Sequence, residues 1–120
     1  MKYRVFKAII ALIFVGVLSS PVVAEEKLKK PTIFTNPIKY LKKVPLNKLS
    51  ADEVIGILGM PDKSNELFGK TYLSYELGEG YGKREFVYEI SEGKLTDVRY
   101  HDQGPYNGKK ASEIQQEKKE

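Results

Sequence analysis

Hydrophobic and polar residues alternate with a period of two in three stretches of the chain. These are residues 70–77 (KTYLSYEL), 84–90 (REFVYEI) and 94–101 (KLTDVRYH). All three are rich in aromatic and β-branched residues, which is typical of strands with one buried and one solvent-facing side. The pattern therefore predicts three antiparallel strands that share one apolar face.

The same alternation predicts which side chains face the core. In the first two strands the apolar side carries Leu73, Tyr75, Leu77, Phe86, Tyr88 and Ile90. In the third strand, Thr96, Val98 and Tyr100 fall on one side and Leu95 falls on the other. Residues 91–94 (SEGK) indicate a tight hairpin turn with glycine in the left-handed conformation, and the glycine-rich residues 78–83 indicate a longer loop.

Two short helices are predicted before the strands. Asn36 suits the N-cap of the first, Pro37 suits its first position, and Pro45 ends it. In the second, which covers residues 51–58, Ser50 and Glu53 are spaced as a capping box. The residues that form its apolar face and its stop are Val54, Ile55, Leu58, Gly59 and Pro61.

A helix of about eight residues is unstable in water on its own, so the second helix must bury its apolar face. The apolar face of the strands is the surface available to it. The expected fold class is therefore α+β, with two short N-terminal helices packed on a three-stranded antiparallel meander in the order α-α-β-β-β. This domain is expected to span residues 36–103.

Both ends of the chain are predicted to lie outside that domain. Residues 1–24 combine a basic start, an apolar run over 8–18 and small residues before position 24, which is the layout of a cleavable signal peptide. Residues 25–35 are expected to form a flexible leader in which Ile33 and Phe34 dock on the domain. Residues 104–120 are polar and charged, so a disordered tail is expected, with a frayed helix as the alternative.

Removal of the signal peptide changes the charge of the chain. The full sequence has 20 basic and 16 acidic residues, and three of the basic residues lie within 1–24. The mature chain is therefore nearly neutral, which argues against a nucleic-acid partner. The remaining charge is divided unevenly, because residues 25–49 carry a net +5 and residues 50–107 carry a net −5.

The residue types exclude several kinds of chemistry. The chain has no cysteine and a single histidine, His101. Neither Ser74 nor Ser91 lies in a nucleophile motif, and no spacing of His, Asp or Glu suggests a metal site. We expect no catalytic residues, no bound cofactor and no metal, and therefore no enzyme. The expected activity is protein binding through exposed residues of the 78–83 loop and its surroundings: Glu79, Tyr81, Lys83, Arg84 and Tyr106.

Part of the chain resembles a known family. Residues 50–61 (SADEVIGILGMP), the tyrosine-bearing strand at 72–75 and the strands joined by a turn around Gly93 are similar to the SmpA/OmlA domain of BamE-type envelope proteins. The resemblance covers about 55 residues. It implies a small periplasmic accessory of outer-membrane protein assembly, although this chain has no cysteine to carry the family's lipid anchor.

These expectations define a function and one alternative. The first is an exported binding or scaffold protein of the cell envelope, periplasmic, or secreted where the host has no outer membrane. The alternative is an exported enzyme inhibitor or immunity protein that also acts by protein–protein binding. In both cases the partner is another envelope or secreted protein, no membrane-spanning segment is left after cleavage, and the oligomeric state stays open.

Overall fold

The computed structural model describes residues 28–119, and the statements below concern that part of the chain. The predicted signal peptide and the start of the leader lie outside it. The elements in chain order are α1 (Pro37–Lys43), α2 (Ala51–Leu58), β1 (Lys63–Leu67), β2 (Lys70–Leu77), a 3₁₀ turn (Gly80–Gly82), β3 (Arg84–Ser91), β4 (Lys94–His101) and α3 (Ala111–Lys119). No helix within the described residues is long and apolar enough to cross a membrane.

The fold is α+β, but the predicted α-α-β-β-β order is wrong. The described chain forms a four-stranded antiparallel sheet in the order β1-β2-β3-β4, and a third helix follows the strands. The prediction lacked the edge strand β1, and it gave the terminal helix α3 only as the alternative to a disordered tail. Each lacks the hydrophobic pattern by which the other elements are recognised.

Strand β1 has the sequence KSNEL and is exposed along its whole length. An exposed edge strand has no need of apolar alternation, because it is held by backbone pairing to one neighbour. Its link to β2 is a two-residue turn in which Phe68 and Gly69 have φ values of 54° and 81°. The predicted turn between β3 and β4 is confirmed and has the same form, with Glu92 at 53° and Gly93 at 81°. Positive φ at both positions is the requirement of a type I′ hairpin.

The third predicted strand, now β4, contains an irregularity that reverses one side-chain assignment. Asp97 pairs with Glu89, but the next pair joins Leu95 to Ile90, so that Thr96 is an extra residue in the ladder. Such a bulge shifts the alternation by one residue. Leu95 is completely buried as a result, although strict alternation assigned it to the polar side. The Thr96 hydroxyl donates to a side-chain oxygen of Glu89 at 2.6 Å.

The predicted starts and stops of the first two helices are confirmed. The Asn36 side chain accepts a hydrogen bond from the Lys39 amide at 3.0 Å. At α2, the Glu53 amide donates to the Ser50 hydroxyl at 3.2 Å, and the Ser50 amide donates to the Glu53 carboxylate at 2.8 Å. Gly59 ends α2 with a φ of 89°, a conformation that favours glycine.

Helix α3 contradicts the prediction of a disordered tail over residues 111–119. Ala111 is completely buried and Ile114 is 7% exposed. The Ser112 amide and hydroxyl donate to the Asp97 carboxylate of β4 at 2.9 and 2.7 Å. The Gln115 side-chain amide donates to the carbonyl groups of Leu41 and Val44. The helix therefore joins β4 to the end of α1, which its polar composition does not reveal.

The described part of the leader, residues 28–35, also differs from the prediction. Ile33 and Phe34 were expected to dock but are 52% and 89% exposed, whereas Leu28 is only 4% exposed. The Tyr40 hydroxyl donates to the Lys29 carbonyl at 2.6 Å. The leader is thus attached to the domain by Leu28 and by side chains that donate hydrogen bonds to its carbonyl groups. The hydrophobic residues expected to serve as anchors, Ile33 and Phe34, face solvent.

The helices and the leader cover one face of the sheet and enclose a single core. Phe86, Tyr88, Val98 and Tyr100 are completely buried in it. The hydroxyl groups of Tyr88 and Tyr40 are hydrogen-bonded at 2.8 Å. Burial raises the pKa of Tyr88 well above its usual value. The opposite face of the sheet carries charged side chains at alternate positions of the strands, namely Glu76, Glu85, Glu89, Asp97 and Arg99. This face and its margins are therefore suited to contact with polar groups.

Candidate functional site

A polar cleft of about 280 Å³ lies at the end of the sheet where β2 passes into β3. We call it the sheet-end cleft. It is bounded on one side by the 78–83 loop and on the other by the end of β4 and the turn that follows. The residues that line it are Lys63, Glu76, Gly80, Lys83, Arg84, Glu85, His101, Asp102 and Gln103.

Strand register brings these residues together. In the antiparallel ladder Glu76 lies opposite Glu85, and Glu85 lies opposite His101. Side chains directly opposite each other on neighbouring strands point to the same face and lie close together. The last row of the polar face therefore contains two carboxylates and the histidine.

Two carboxylates in direct opposition repel each other unless cations or hydrogen-bond donors compensate. Here Glu76 forms ion pairs with Lys63 at 3.0 Å and with Lys83 at 3.1 Å. Glu85 accepts a short hydrogen bond from the hydroxyl of Ser74, a side chain that is 4% exposed. Hydrogen bonding to Lys63 and Lys83 lowers the pKa of Glu76, and hydrogen bonding to Glu76 raises the pKa of Lys63. The cleft is thus a network of paired charges.

The 78–83 loop has a defined conformation. Its 3₁₀ turn is closed by hydrogen bonds from the Gly82 amide to the Glu79 carbonyl and from the Lys83 amide to the Gly80 carbonyl, both at 3.2 Å. Gly78 has a φ of 80°, and a Cβ added there would meet the Gly82 carbonyl oxygen at 3.1 Å. A side chain at Gly78 is therefore disfavoured both by the positive φ and by the close approach of the Gly82 carbonyl oxygen. At the tip of this loop Tyr81 is 92% exposed.

Arg84 lines the cleft, but its guanidinium group mainly contacts other parts of the domain. One nitrogen of its guanidinium donates to the carbonyl groups of Thr35 at 2.7 Å and Ile33 at 3.1 Å. Its central carbon lies 5.4 Å from the centre of the Tyr100 ring, within the range of a cation–π contact. Arg84 therefore holds the leader against the sheet, which is a structural role that its place in the sequence did not reveal.

Hydrogen bonds also order the turn after β4. The Tyr100 hydroxyl donates to the Asp102 carboxylate at 2.5 Å, and the Asp102 amide donates to the side chain of Asn107 at 3.0 Å. A ring nitrogen of His101 lies 3.3 Å from the same Asn107 oxygen. Tyr106 projects from this turn with 42% of its surface exposed.

The structure brings together only part of the predicted set. Lys83 and Arg84 line the cleft, whereas Glu79, Tyr81 and Tyr106 lie on the segments that border it and are not among its lining residues. Sequence reasoning missed Lys63, Glu76 and Glu85. Glu76 and Glu85 follow from the register of the β2–β3 hairpin, so the alternation contained a signal for them. Lys63 lies on the strand that was not predicted.

The cleft does not assemble a recognisable catalytic group. None of the residues that line the cleft is a serine, and the hydroxyl of the nearby Ser74 donates to Glu85. Within residues 28–119, no group of three or more His, Asp or Glu side chains is arranged to hold a metal ion. The cleft and the loop beside it present the exposed ring of Tyr81 next to charged side chains that are paired with each other. This combination is suited to contact with another protein.

Comparisons of the chain with models of protein families, with curated proteins and with solved structures give no match.

Proposed function

We propose that this protein is an exported binding protein of the cell envelope that contacts another protein through the sheet-end cleft and the 78–83 loop, without performing chemistry. The observation that carries the proposal is Tyr81, a large aromatic side chain that is 92% exposed at the tip of an ordered loop. Tyrosine is enriched among residues that dominate binding energy, because it buries a large area with few rotatable bonds.

The hydrogen-bonded turn of the loop also favours binding through Tyr81. Binding is weakened when a loop must be ordered as the partner arrives, and a loop that is already ordered avoids that cost. The 3₁₀ turn and the ion pair between Lys83 and Glu76 at 3.1 Å hold the base of the loop. A partner can therefore contact Tyr81 without first having to order the backbone that carries it.

The partner surface is expected to combine an apolar contact with hydrogen-bond donors. Tyr81 supplies the aromatic contact, and Glu79 beside it supplies a free acceptor at the exposed rim. The resemblance to SmpA/OmlA domains favours an envelope protein as this partner, and the sequence pattern of residues 1–24 favours export. Both remain parts of the proposal.

Site-specific photocrosslinking in the native host tests the binding surface. A photoreactive phenylalanine analogue is placed at Tyr81 in one strain and at Phe68 in a control strain. Phe68 is a suitable control because it is equally exposed, at 93%, and lies on a hairpin turn at the opposite end of the sheet. We expect a discrete crosslinked protein from position 81 and none, or a different set, from position 68. The same product from both positions, or from Phe68 alone, would contradict the proposal.

A second measurement tests export independently of binding. Protein recovered from an osmotic-shock fraction is subjected to N-terminal sequencing. We expect the mature chain to begin at or near Glu25. Recovery of the protein only from the cytoplasm with Met1 intact would remove the envelope from the proposal while leaving the binding surface to be judged by crosslinking.

A further inference from the structure

A second concave surface lies away from the sheet-end cleft and shares none of its lining residues. It is a groove of about 340 Å³ between residues 28–30 of the leader and helix α1. Leu28 and Val44, which are 4% and 5% exposed, belong to its lining and give it an apolar floor. Its volume falls in the lower part of the roughly 300–1,000 Å³ range of ligand sites in proteins.

The rim of this groove is strongly basic. Lys29 and Lys30 stand on the leader side, and Lys39 and Lys43, one helical turn apart, stand on the α1 side. All four are exposed, and among the residues that the structure describes none of them forms an ion pair. Four cations around one depression repel each other, and an anionic ligand bound among them reduces this electrostatic repulsion.

The groove is formed before any occupant arrives. Its leader wall is tied to α1 by the hydrogen bond from the Tyr40 hydroxyl to the Lys29 carbonyl at 2.6 Å. The same hydroxyl is bonded to Tyr88 in the core at 2.8 Å. Farther along the leader, Arg84 holds the carbonyl groups of Ile33 and Thr35. Both walls are therefore anchored to the sheet.

We propose that this groove is a docking site for an acidic segment of a partner protein, in which carboxylates flank an apolar side chain. The carboxylates face the lysines of the rim, and the apolar side chain enters toward Leu28 and Val44. The concave shape favours a protruding peptide segment over a flat surface such as a membrane, because the apolar floor lies between the basic walls. The site is additional to the surface centred on Tyr81.

Fluorescence anisotropy with a labelled Glu-Leu-Glu-Glu-Leu-Glu peptide tests the proposal on the mature protein. We expect saturable binding that weakens as salt is added. The double variant Lys39→Glu, Lys43→Glu should weaken binding about tenfold or more, since two favourable charge contacts become repulsive. A Gln-Leu-Gln-Gln-Leu-Gln peptide should not bind measurably, and replacement of both leucines by glycine should weaken binding.

The matched control is the double variant Lys42→Glu, Lys109→Glu. It changes the net charge equally, but these lysines line a different depression between α1 and α3. It should bind the peptide within about twofold of the wild type. Tyr81→Ala should also leave peptide binding unchanged, which separates this site from the sheet-end cleft. Thermal melts check that each variant is folded, and Lys39→Gln, Lys43→Gln replaces the charge reversal if it melts early.

Four results would overturn the proposal. One is the absence of saturable peptide binding, and another is an equal loss of affinity in both double variants, which indicates attraction by net charge alone. A third is binding to vesicles of anionic phospholipid without binding to the peptide, which assigns the groove to a membrane. The last is a concentration-dependent dimer, seen by sedimentation, that is abolished by Lys39→Glu, Lys43→Glu, because it assigns the groove to a second copy of this chain.

Discussion

The hydrogen bonds of Gln115 allow a direct test of whether α3 belongs to the folded domain. Its side-chain amide donates to the Leu41 carbonyl at 2.9 Å and to the Val44 carbonyl at 2.8 Å. These carbonyls lie at the C-terminal end of α1, where backbone acceptors have no partner within the helix. The substitution Gln115→Ala removes both bonds, while Gln116→Ala changes the exposed neighbour on the same helix.

The expected loss follows from these contacts. An intramolecular hydrogen bond contributes a net of about 0.5–1.5 kcal/mol, and an acceptor left without a partner costs more when water cannot reach it. Gln115 is half-buried, so water can replace part of the loss. We therefore expect Gln115→Ala to lower the free energy of unfolding by about 1–2 kcal/mol. Gln116→Ala makes the same change in helix propensity and should alter it by less than about 0.5 kcal/mol.

Urea unfolding followed by far-ultraviolet circular dichroism measures the difference. With a slope of roughly 1–2 kcal/mol per molar urea for a small domain, the midpoint of Gln115→Ala should fall by about 1 M. The comparison with Gln116→Ala removes the contribution of helix propensity. Equal midpoints for the two variants would refute the reasoning, since α3 would then not hold the end of α1 and its contacts would contribute nothing to stability.

Three further predictions concern the core and two ionisable groups. Leu58→Ala, at a residue 3% exposed, should cost about 2–5 kcal/mol of unfolding free energy in the same urea assay, whereas Ile57→Ala, at a residue 38% exposed, should cost clearly less. Burial, followed by the hydrogen bond to Asp102, raises the pKa of Tyr100 to about 12, so its contribution to stability is present below pH 10 and is lost as the pH rises toward 12; a spectrophotometric titration should show one phenol with this pKa that is absent in Tyr100→Phe. Hydrogen bonds from Lys63 and Lys83 lower the pKa of Glu76, so its contribution is present above pH 4.5 and is lost as the pH falls through the lowered value; the acid limb of a pH–stability curve should be shallower in Glu76→Gln, and an unchanged limb would contradict the ion-pair network.

Some features of the candidate site depend on neighbouring residues, and others depend on residues that are far apart in the chain. The exposure of Tyr81 and the turn around it depend on a glycine-rich segment of six residues, and the sequence predicted that segment as a contact element. The cleft beside it depends on strand register, which places Glu76, Glu85 and His101 in one row. The role of Arg84 depends on its hydrogen bonds to Thr32 and Thr35, which precede it by 52 and 49 positions in the chain. No local sequence pattern relates residues so far apart.

Features that depend on a few neighbouring residues were determined by the sequence alone. The capping box at Ser50, the stop at Gly59 and the type I′ turn at Gly93 all satisfy backbone requirements within five residues, and strands β2 and β3 carry an unbroken alternation. Tertiary structure decided the rest. Strand β1 exists because β2 offers backbone partners, and α3 exists because Asp97 and the end of α1 accept its hydrogen bonds. Such elements are stabilised by contacts that form only when the whole chain has folded, so their own residues carry too little hydrophobic pattern to reveal them.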